Sequence, residues 1–433
     1  MNERKRPIKR TSKHSTKQLN IKDTKKPRAK RKTSKQTSAH TKLSLEKFQE
    51  FRAKGLTLLK GKAGDKKTMM VRYASIAVAV LIIIGIVTAF ALSPTGIVEN
   101  IKYKYTLSKT GSGFPIESEI GTAKSLDYSN GCLLVTNESE IRCFNNNGAQ
   151  IYSRIHGFTN PVVKTSKIRT LTYGINATRY IIHTPQEEVI NKSTSDGYGI
   201  ITADISNSGV YAIATTGSQE VSLVTVYDKD AKEIYKFHSS NNHVLNVSVS
   251  ENGKRMCVVT VTTRQAHIVS KISIFDFDSV EPIFEQELKD EVVYVAEYMS
   301  SNALSIVTNK SYICIKGKKI HNKIDYEANS LNKYEINHDS IVLYNKPDDN
   351  SLSGTVRVLN ANGKNKAEFE IQGNISDISC YKNKVYTLDE NVCCYNFSGE
   401  KLEKIEINNG ASDIQAFPRG VAVLYSSGID LVK

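Results

Sequence analysis

The sequence has no tryptophan and none of the short motifs that mark common enzyme classes. The absence of an H-E-x-x-H zinc helix, a G-x-S-x-G nucleophile elbow and a P-loop excludes three large hydrolase classes in their usual form. The lack of tryptophan also disfavours several repeat families whose signature motifs contain this residue. These are WD-repeat proteins, sialidases, and quinone-dependent repeat enzymes together with their relatives in outer-membrane assembly. We therefore predict no catalytic residue, no cofactor and no metal site from motifs.

Two Asp-x-Asp pairs have a spacing that can begin a calcium loop. Asp228 and Asp230 form the first pair, and Asp276 and Asp278 form the second. Neither pair is followed by the glycine and the later glutamate of a twelve-residue loop. Both fall in hairpin turns, where aspartate is favoured because its side chain accepts backbone hydrogen bonds. We interpret both pairs as turn residues.

Acidic residues are scarce at the start of the chain. Residues 1–72 hold 24 Lys and Arg against 5 Asp and Glu, whereas the remaining residues are slightly acidic. Residues 1–42 have almost no apolar side chains, so they are predicted to be a disordered basic tail. Residues 43–60 show a helical spacing of Leu and Phe among basic residues, which predicts an amphipathic helix on anionic lipid. Specific nucleic-acid binding is disfavoured because the tail has no stacking platform and no groove-reading helix.

One long hydrophobic run is present. Residues 73–92 (YASIAVAVLIIIGIVTAFAL) carry no charge, and about twenty apolar residues match the roughly 30 Å hydrocarbon core of a bilayer. The basic flank predicts a cytoplasmic N-terminus and an extracellular C-terminal domain, with the protein in the plasma membrane as a single-pass protein. A signal peptide cleaved after Ala91 is the alternative, since Ala89-Phe90-Ala91 fits a cleavage site. The long segment before the run favours an uncleaved anchor.

From about residue 113 onward, short apolar runs alternate with Gly, Asn and Asp turns, and helical periodicity is absent. A strand–turn–strand pattern recurs at intervals of 36 to 49 residues, after a first interval of about twice that length. Clear copies are RCFNNNGAQIY (142–152), TVYDKDAKEIYKF (225–237), SIFDFDSVEPIF (273–284), RVLNANGKNKAEF (357–369) and CYNFSGEKLEKI (394–405). A weaker copy, YICIKGKKIHNKI (312–324), lies between the third and the fourth, and the long first interval contains a further copy near residues 183–186. This period with four short strands per repeat predicts an all-β fold, a β-propeller.

Counting repeats favours eight blades, with seven as the alternative because the second and fifth repeats are poorly marked. The last repeat has about three strands, so GFPIESEI (113–120) is predicted to supply its fourth strand and close the ring. Residues 93–112 are then a stalk, and 113–433 are the propeller. The predicted blades are 122–155, 158–190, 198–238, 242–287, 290–324, 328–371, 374–407 and 410–433.

Seven cysteines are an odd number for a domain outside the cell. Cys132 and Cys143 fall opposite each other if their hairpin turns at Asn137 and Glu138, so a cross-strand disulfide is an open alternative to two free thiols. The remaining cysteines fit small buried apolar residues in strands.

Several stretches of the chain resemble a Gram-positive bacterial family known as domain of unknown function 5711. The resemblance is carried by GSGFPIESEIG (111–121), NPVVKTSKIRTLTYGINATRYII (160–182), ITADISNSGVYAIATT (201–216) and VLNVSVSENGKRMCVVTV (244–261). It implies a membrane-anchored extracytoplasmic propeller, and it supplies no activity and no site residues.

Three functions remain open on this sequence. We favour a binding or scaffolding module at the cell envelope with an extracytoplasmic protein or glycan partner, because anchor and repeats occur without a catalytic motif. One alternative is a hydrolase or lyase of cell-surface polysaccharide, which requires two carboxylates about 5 to 9 Å apart in a concave pocket. The other alternative is a single-pass signalling receptor.

Overall fold

The structure is a computed structural model that describes residues 66–91, 97–117, 120–326, 330–337 and 339–433. It contains two compact units, which divide between Val98 and Glu99. The predicted basic tail (1–42) and juxtamembrane helix (43–60) lie outside the described residues.

The first unit contains helix α1 (Lys66–Ala91). Its stretch Met69–Thr88 is 20 residues long with a mean hydropathy of 2.4, and none of it is buried within the structure, so by length and composition it can cross a membrane once. The Thr88 hydroxyl donates to the backbone oxygens of Ile84 and Gly85 at 2.9 and 3.0 Å. The hydroxyl of this apolar helix therefore has hydrogen-bond partners within the helix itself. The predicted span coincides with this helix, except that Leu92 lies outside the described residues.

Helix α2 (Ile97–Leu107) lies within the segment that sequence analysis assigned to a stalk. The helix ends at Leu107, where the Ser108 hydroxyl donates to the Tyr105 oxygen at 2.7 Å. The Tyr103 side chain and Leu107 pack against the first blade of the propeller. The chain therefore enters the propeller through a helix that packs on it.

The propeller consists of eight four-stranded antiparallel sheets, the blades, in the part of the chain that the structure describes. Blades 1 to 4 follow one another as meanders. Blade 1 contains β2 (Ala123–Ser129), β3 (Cys132–Asn137), β4 (Glu140–Asn145) and β5 (Gln150–Ile155). Blade 2 contains β6 (Pro161–Thr165), β7 (Thr170–Gly174), β8 (Arg179–His183) and β9 (Glu188–Ser193). Blade 3 contains β10 (Ile200–Ile205), β11 (Tyr211–Thr216), β12 (Ser222–Tyr227) and β13 (Glu233–Ser239). Blade 4 contains β14 (His243–Val249), β15 (Arg255–Arg264), β16 (His267–Asp276) and β17 (Phe284–Lys289).

Blades 5 to 7 repeat this order, and blade 8 uses strands from both ends of the domain. Blade 5 contains β18 (Val293–Tyr298), β19 (Ala303–Thr308), β20 (Ser311–Lys316) and β21 (Lys319–Asp325). Blade 6 contains β22 (Ser330–Ile336), β23 (Ser340–Lys346), β24 (Ser353–Asn360) and β25 (Asn365–Gln372). Blade 7 contains β26 (Asp377–Tyr381), β27 (Lys384–Leu388), β28 (Val392–Asn396) and β29 (Lys401–Ile405). Blade 8 contains β30 (Asp413–Phe417), β31 (Gly420–Tyr425), β32 (Gly428–Val432) and β1 (Ile116–Glu117).

The predicted closure is confirmed, and with it the count of eight blades. Ile116 pairs with Ile429 and Glu117 pairs with Gly428, so the start of the domain supplies the outer strand of the last blade. The strand is shorter than the predicted segment 113–120, of which residues 118–119 are outside the described residues. Phe114 lies 5.9 Å from the ring of Phe417, which adds an apolar contact to the pairing.

The apolar core is divided among the blades. Each of the eight interfaces between neighbouring blades contains its own cluster of buried apolar side chains. Between blades 3 and 4, for example, Val224 and Val226 pack with Val247 and Val258. Burial of each such side chain is worth about 1.5–3 kcal/mol. A single blade cannot bury both of its faces alone, so the ring has to close.

Turn geometry explains why glycine occurs between strands β14 and β15. Gly253 has a φ of 66°, in the left-handed region that residues with a side chain rarely adopt. A Cβ atom there would also lie 2.7 Å from Val210 Cγ2 in the neighbouring blade, and closer still to the Ser208 hydroxyl. Both the backbone conformation and the packing between blades therefore require glycine.

The prediction that Cys132 and Cys143 lie directly opposite each other in the hairpin is wrong. The hairpin turns one residue later than expected, so Cys132 pairs with Asn145 and Cys143 pairs with Leu134. The two cysteines are diagonal neighbours on one face of the sheet. All seven cysteines are free thiols and all are buried.

Candidate functional site

The innermost strands of the blades place one polar side chain each at equivalent positions along the central channel. We call these eight residues the channel ring. Each lies two or three residues before the turn that follows the inner strand. In blade order the channel ring consists of Asp127, Lys164, Asp204, Ser248, Glu297, Glu335, Ser379 and Gln415.

Some of these side chains pair the backbone of the next blade. The Asp204 Oδ2 atom accepts a hydrogen bond from the Val249 N–H at 2.8 Å and another from the Ser248 hydroxyl at 3.2 Å. The Ser248 oxygen in turn accepts from the Tyr298 N–H at 3.0 Å. An inner strand has a free edge toward the channel, and its N–H groups need acceptors. Ring side chains of one blade supply these acceptors to the N–H groups of the next blade.

The three ring positions of blades 6 to 8 are filled by side chains that bond to one another, and we call this part of the ring the sealed half. Glu335, Ser379 and Gln415 are each no more than 2% exposed. Glu335 accepts hydrogen bonds from the Cys380 N–H at 2.8 Å, the Ser379 hydroxyl at 3.1 Å and the Gln415 amide at 3.1 Å. The Ser379 oxygen also accepts from the Ala416 N–H at 2.9 Å. The sealed half is a dense hydrogen-bonded network.

The five ring positions of blades 1 to 5 form the open half, in which Asp204 and Glu297 border a cavity of about 270 Å³. Blades 1 to 3 contribute a wall of hydroxyl and amide side chains, whereas blades 4 and 5 contribute an apolar wall of Val249, Tyr298 and Met299. Asp204 and Glu297 lie between the two walls, and the charged Lys167 and Glu251 also line the cavity. The hydroxyl and amide wall consists of Ser129, Asn130, Thr165, Ser166, Ser206 and Asn207.

The charges around this cavity influence one another. Burial lowers the pKa of the Lys164 ammonium, but the carboxylates of Glu297 and Asp204 outweigh burial, and the pKa of Lys164 is raised. For Asp204, burial raises the pKa, Lys164 lowers it and Glu297 raises it, with a net rise. Asp127 also acts on Lys164. Three carboxylates therefore surround one ammonium, which leaves this half of the ring negative when all four groups are ionised.

The cavity opens on the side of the propeller where helix α2 packs. Asn130, in the turn between β2 and β3, lines the cavity, and its backbone oxygen accepts a hydrogen bond from the Tyr103 hydroxyl at 2.9 Å. The Asn145 amide donates to the backbone oxygen of Leu107 at 2.9 Å. We call this side of the propeller the α2 face. It carries the turns between the first and second strands of each blade.

The two Asp-x-Asp pairs lie outside this cavity, in hairpin turns. Asp228 Oδ1 accepts from the N–H groups of Asp230 and Lys232 at 3.0 and 2.9 Å. Asp276 accepts from the Arg255 guanidinium at 3.2 Å. Among the described residues, no group of three or more His, Cys, Asp and Glu side chains is placed to hold a metal ion.

Sequence reasoning named none of the channel ring residues. A signal was present, because a polar residue interrupts each apolar inner strand shortly before its turn, as Asp204 does in ITADIS and Ser248 in LNVSVS. This signal recurs only once per blade, so the periodicity within a strand does not show it.

Comparison with known proteins places the chain in a family. The model of a family of unknown function, DUF5711, matches residues 101–433, and the chain belongs to that family. No curated protein matches the sequence. Among solved structures, the C-terminal WD40 domain of Sif2 is 12% identical and superposes with a TM-score of 0.50 over 73% of this chain and 98% of that one. BamB from Moraxella catarrhalis is 9% identical, with a TM-score of 0.45 over 72% and 95% of the two chains. At these identities the likeness concerns the fold alone.

Proposed function

We propose that this member of the DUF5711 family is a membrane-anchored, extracytoplasmic binding or scaffolding module of the cell envelope, and that it holds a protein or glycan partner at the channel cavity. The anchoring part of the proposal rests on the apolar stretch of α1 and on the basic tail before it. The binding part rests on the cavity.

The single observation that carries the binding proposal is the charged lining of the open half. Ser248 and Ser379 show that an uncharged hydroxyl is sufficient to pair the backbone of the next blade. Removing a charged side chain from water costs several kcal/mol, so charges are expensive at positions where a hydroxyl would serve. Asp204 pairs the next blade as Glu335 does in the sealed half, but Asp204 and Glu297 differ from Glu335 in that they also border an accessible cavity.

The lining also suits a partner that presents both polar and apolar groups. Hydroxyl and amide groups on one wall can exchange hydrogen bonds with a sugar or a peptide backbone. The apolar wall of Val249, Tyr298 and Met299 offers contact to C–H groups. A glycan terminus or an extended peptide has both kinds of surface.

Photo-crosslinking in intact cells tests the binding proposal. A photoreactive amino acid in place of Lys167, which is exposed and lines the cavity, should form adducts with an envelope component. The same amino acid in place of Lys404, which is exposed on outer strand β29, is the matched control. Equal adduct formation at both positions, or none at either, contradicts binding at the cavity.

Sidedness is tested separately by protease digestion of intact cells. The proposal expects protease to remove the C-terminal propeller while the lysine-rich tail stays protected. Trimming of the tail with an untouched propeller contradicts the extracytoplasmic location. A cleaved signal peptide is distinguished by N-terminal sequencing of the mature chain.

A second candidate function is favoured by one observation at the same cavity. Asp204 and Glu297 both line it, and the raised pKa of Asp204 has the direction that a general acid requires. This arrangement fits a hydrolase or lyase of cell-surface polysaccharide. Release of reducing ends from purified cell-wall polysaccharide should fall with Asp204→Asn and stay unchanged with Asp230→Asn, in an exposed turn. Equal release by both variants contradicts a catalytic Asp204.

A further inference from the structure

Helix α2 packs on the propeller through one face only. Tyr103 and Leu107, four residues apart, lie against the apolar cluster between blades 1 and 2. The Tyr103 hydroxyl also donates to the Asn130 oxygen at 2.9 Å. Gln186 in blade 2 adds a hydrogen bond to the Thr106 hydroxyl at 2.9 Å. These contacts fix which side of α2 faces away from the propeller.

The opposite face of α2 is apolar and exposed. Ile101 and Tyr105, again four residues apart, are 59% and 78% exposed. At 100° per residue, Lys102 and Lys104 lie on the two flanks of this face, and both are exposed. The outward face of a helix on a soluble domain is normally polar. An apolar outward face between two lysines is instead typical of a helix at a lipid surface.

The position of α2 in the chain argues for the same occupant. Only residues 92–96 separate the end of α1 from the start of α2. Extended chain covers at most about 3.6 Å per residue, so a helix that begins five residues after a membrane span begins within roughly 20 Å of it. Tyrosine is enriched at the membrane–water interface, and lysine stems lie along apolar surface while their ammonium groups reach the phosphates.

We propose that the outward face of α2, formed by Ile101 and Tyr105 between Lys102 and Lys104, lies in the headgroup layer of the outer leaflet. This inference rests on the proposed membrane anchoring by α1. It has a consequence for the cavity, because Asn130 both accepts the Tyr103 hydrogen bond and lines the cavity. The α2 face, and the mouth of the cavity with it, then faces the lipid surface, so the partner is bound next to the membrane.

The absence of tryptophan allows a direct test. The full chain is reconstituted into phosphatidylcholine–phosphatidylglycerol vesicles as a Tyr105→Trp variant, whose tryptophan is then the only one in the protein. Its emission should shift to shorter wavelength, and headgroup nitroxide lipids should quench it more strongly than nitroxides deep in the acyl chain. The matched control is Leu352→Trp, which is 68% exposed in the loop between β23 and β24, at the end of the blades opposite the α2 face.

Two failures are distinguishable in this experiment. If the chain does not float with the vesicles in a density gradient, anchoring by α1 is wrong, and the inference falls with it. If the chain floats but Tyr105→Trp shows the same aqueous emission and weak quenching as Leu352→Trp, anchoring stands and the lipid contact of α2 is contradicted. Ile101→Trp should behave as Tyr105→Trp does, because the two positions share one face.

Discussion

The two halves of the central channel use the same positions of the same repeat in different ways. In the sealed half, Glu335, Ser379 and Gln415 hydrogen-bond to one another and to the backbone, and almost nothing of them is exposed. In the open half, one lysine interacts with three carboxylates, two of which border a cavity of about 270 Å³. On one side, therefore, the ring positions are paired by neutral side chains and the carboxylate of Glu335. On the other side, charged ring side chains border a cavity.

The largest expected effect is in the sealed half. Glu335→Ala removes the acceptor for the Cys380 N–H, the Ser379 hydroxyl and the Gln415 amide, all of which are buried. Leaving such groups unpaired should lower the free energy of unfolding by about 3 kcal/mol. Urea denaturation measures this loss. Glu370→Ala, exposed in the same blade, is the control and should change stability by no more than about 0.5 kcal/mol. An equal effect of both substitutions would contradict the structural role of Glu335.

The next effect concerns the only ring lysine. Lys164→Met leaves Asp127, Asp204 and Glu297 without their shared cation, which should cost about 2 kcal/mol at neutral pH. Without Lys164 the pKa of Asp204, already raised, rises further, because Lys164 is the strongest of the groups that lower it. A carboxyl whose folded pKa is raised above its unfolded value stabilises the fold below that unfolded value and loses this contribution as pH rises.

The deficit of Lys164→Met should therefore be smaller near pH 5 than near pH 8, as measured by urea denaturation at the two values. Wild-type protein should show the complementary behaviour at alkaline pH. The raised pKa of Lys164 stabilises the fold up to the unfolded pKa of lysine, and this contribution is lost as pH rises through the folded value. A deficit that does not depend on pH would show that Lys164 acts through packing and not through charge.

A smaller effect compares two serines at equivalent positions. Ser379→Ala should cost about 2 kcal/mol and Ser248→Ala about 1 kcal/mol, because the Ser379 hydroxyl bonds Glu335, the Gln415 amide and the Ala416 N–H, whereas among the described residues the Ser248 hydroxyl bonds only Asp204 and the Tyr298 N–H. Thermal and urea unfolding of the two variants side by side measure the difference. If Ser248→Ala costs as much as Ser379→Ala, the additional contact of Ser379 with Gln415 does not stabilise the sealed half.

Most of the fold was predictable from the sequence. The turns recur at intervals of 36 to 49 residues, and the segment GFPIESEI contains the strand that closes blade 8. Both patterns are local in the sequence. Seven blades stayed open as an alternative because β6 to β9 and β18 to β21 are joined by turns with weak signals. The predicted pairing of Cys132 with Cys143 was wrong because the hairpin turns one residue later than expected. A shift of one residue in the turn changes every cross-strand partner in the hairpin.

The candidate site could not be predicted from the sequence, for a different reason. Asp204 and Glu297 are 93 positions apart and meet only because successive blades bring equivalent positions to one channel. Helix α2 was also missed, since a helix with apolar residues on two opposite faces has no single polar side to reveal its period.

The most direct test of the central claim is the yield of Lys167 photo-adducts in cells that carry Glu297→Gln. Two carboxylates remain beside Lys164, so stability should stay within about 1 kcal/mol of wild type. The account predicts that the adduct is lost with Glu297→Gln and kept with Glu370→Gln. An adduct that survives Glu297→Gln, or that disappears equally with Glu370→Gln, would show that the charged half of the channel is not where the partner binds.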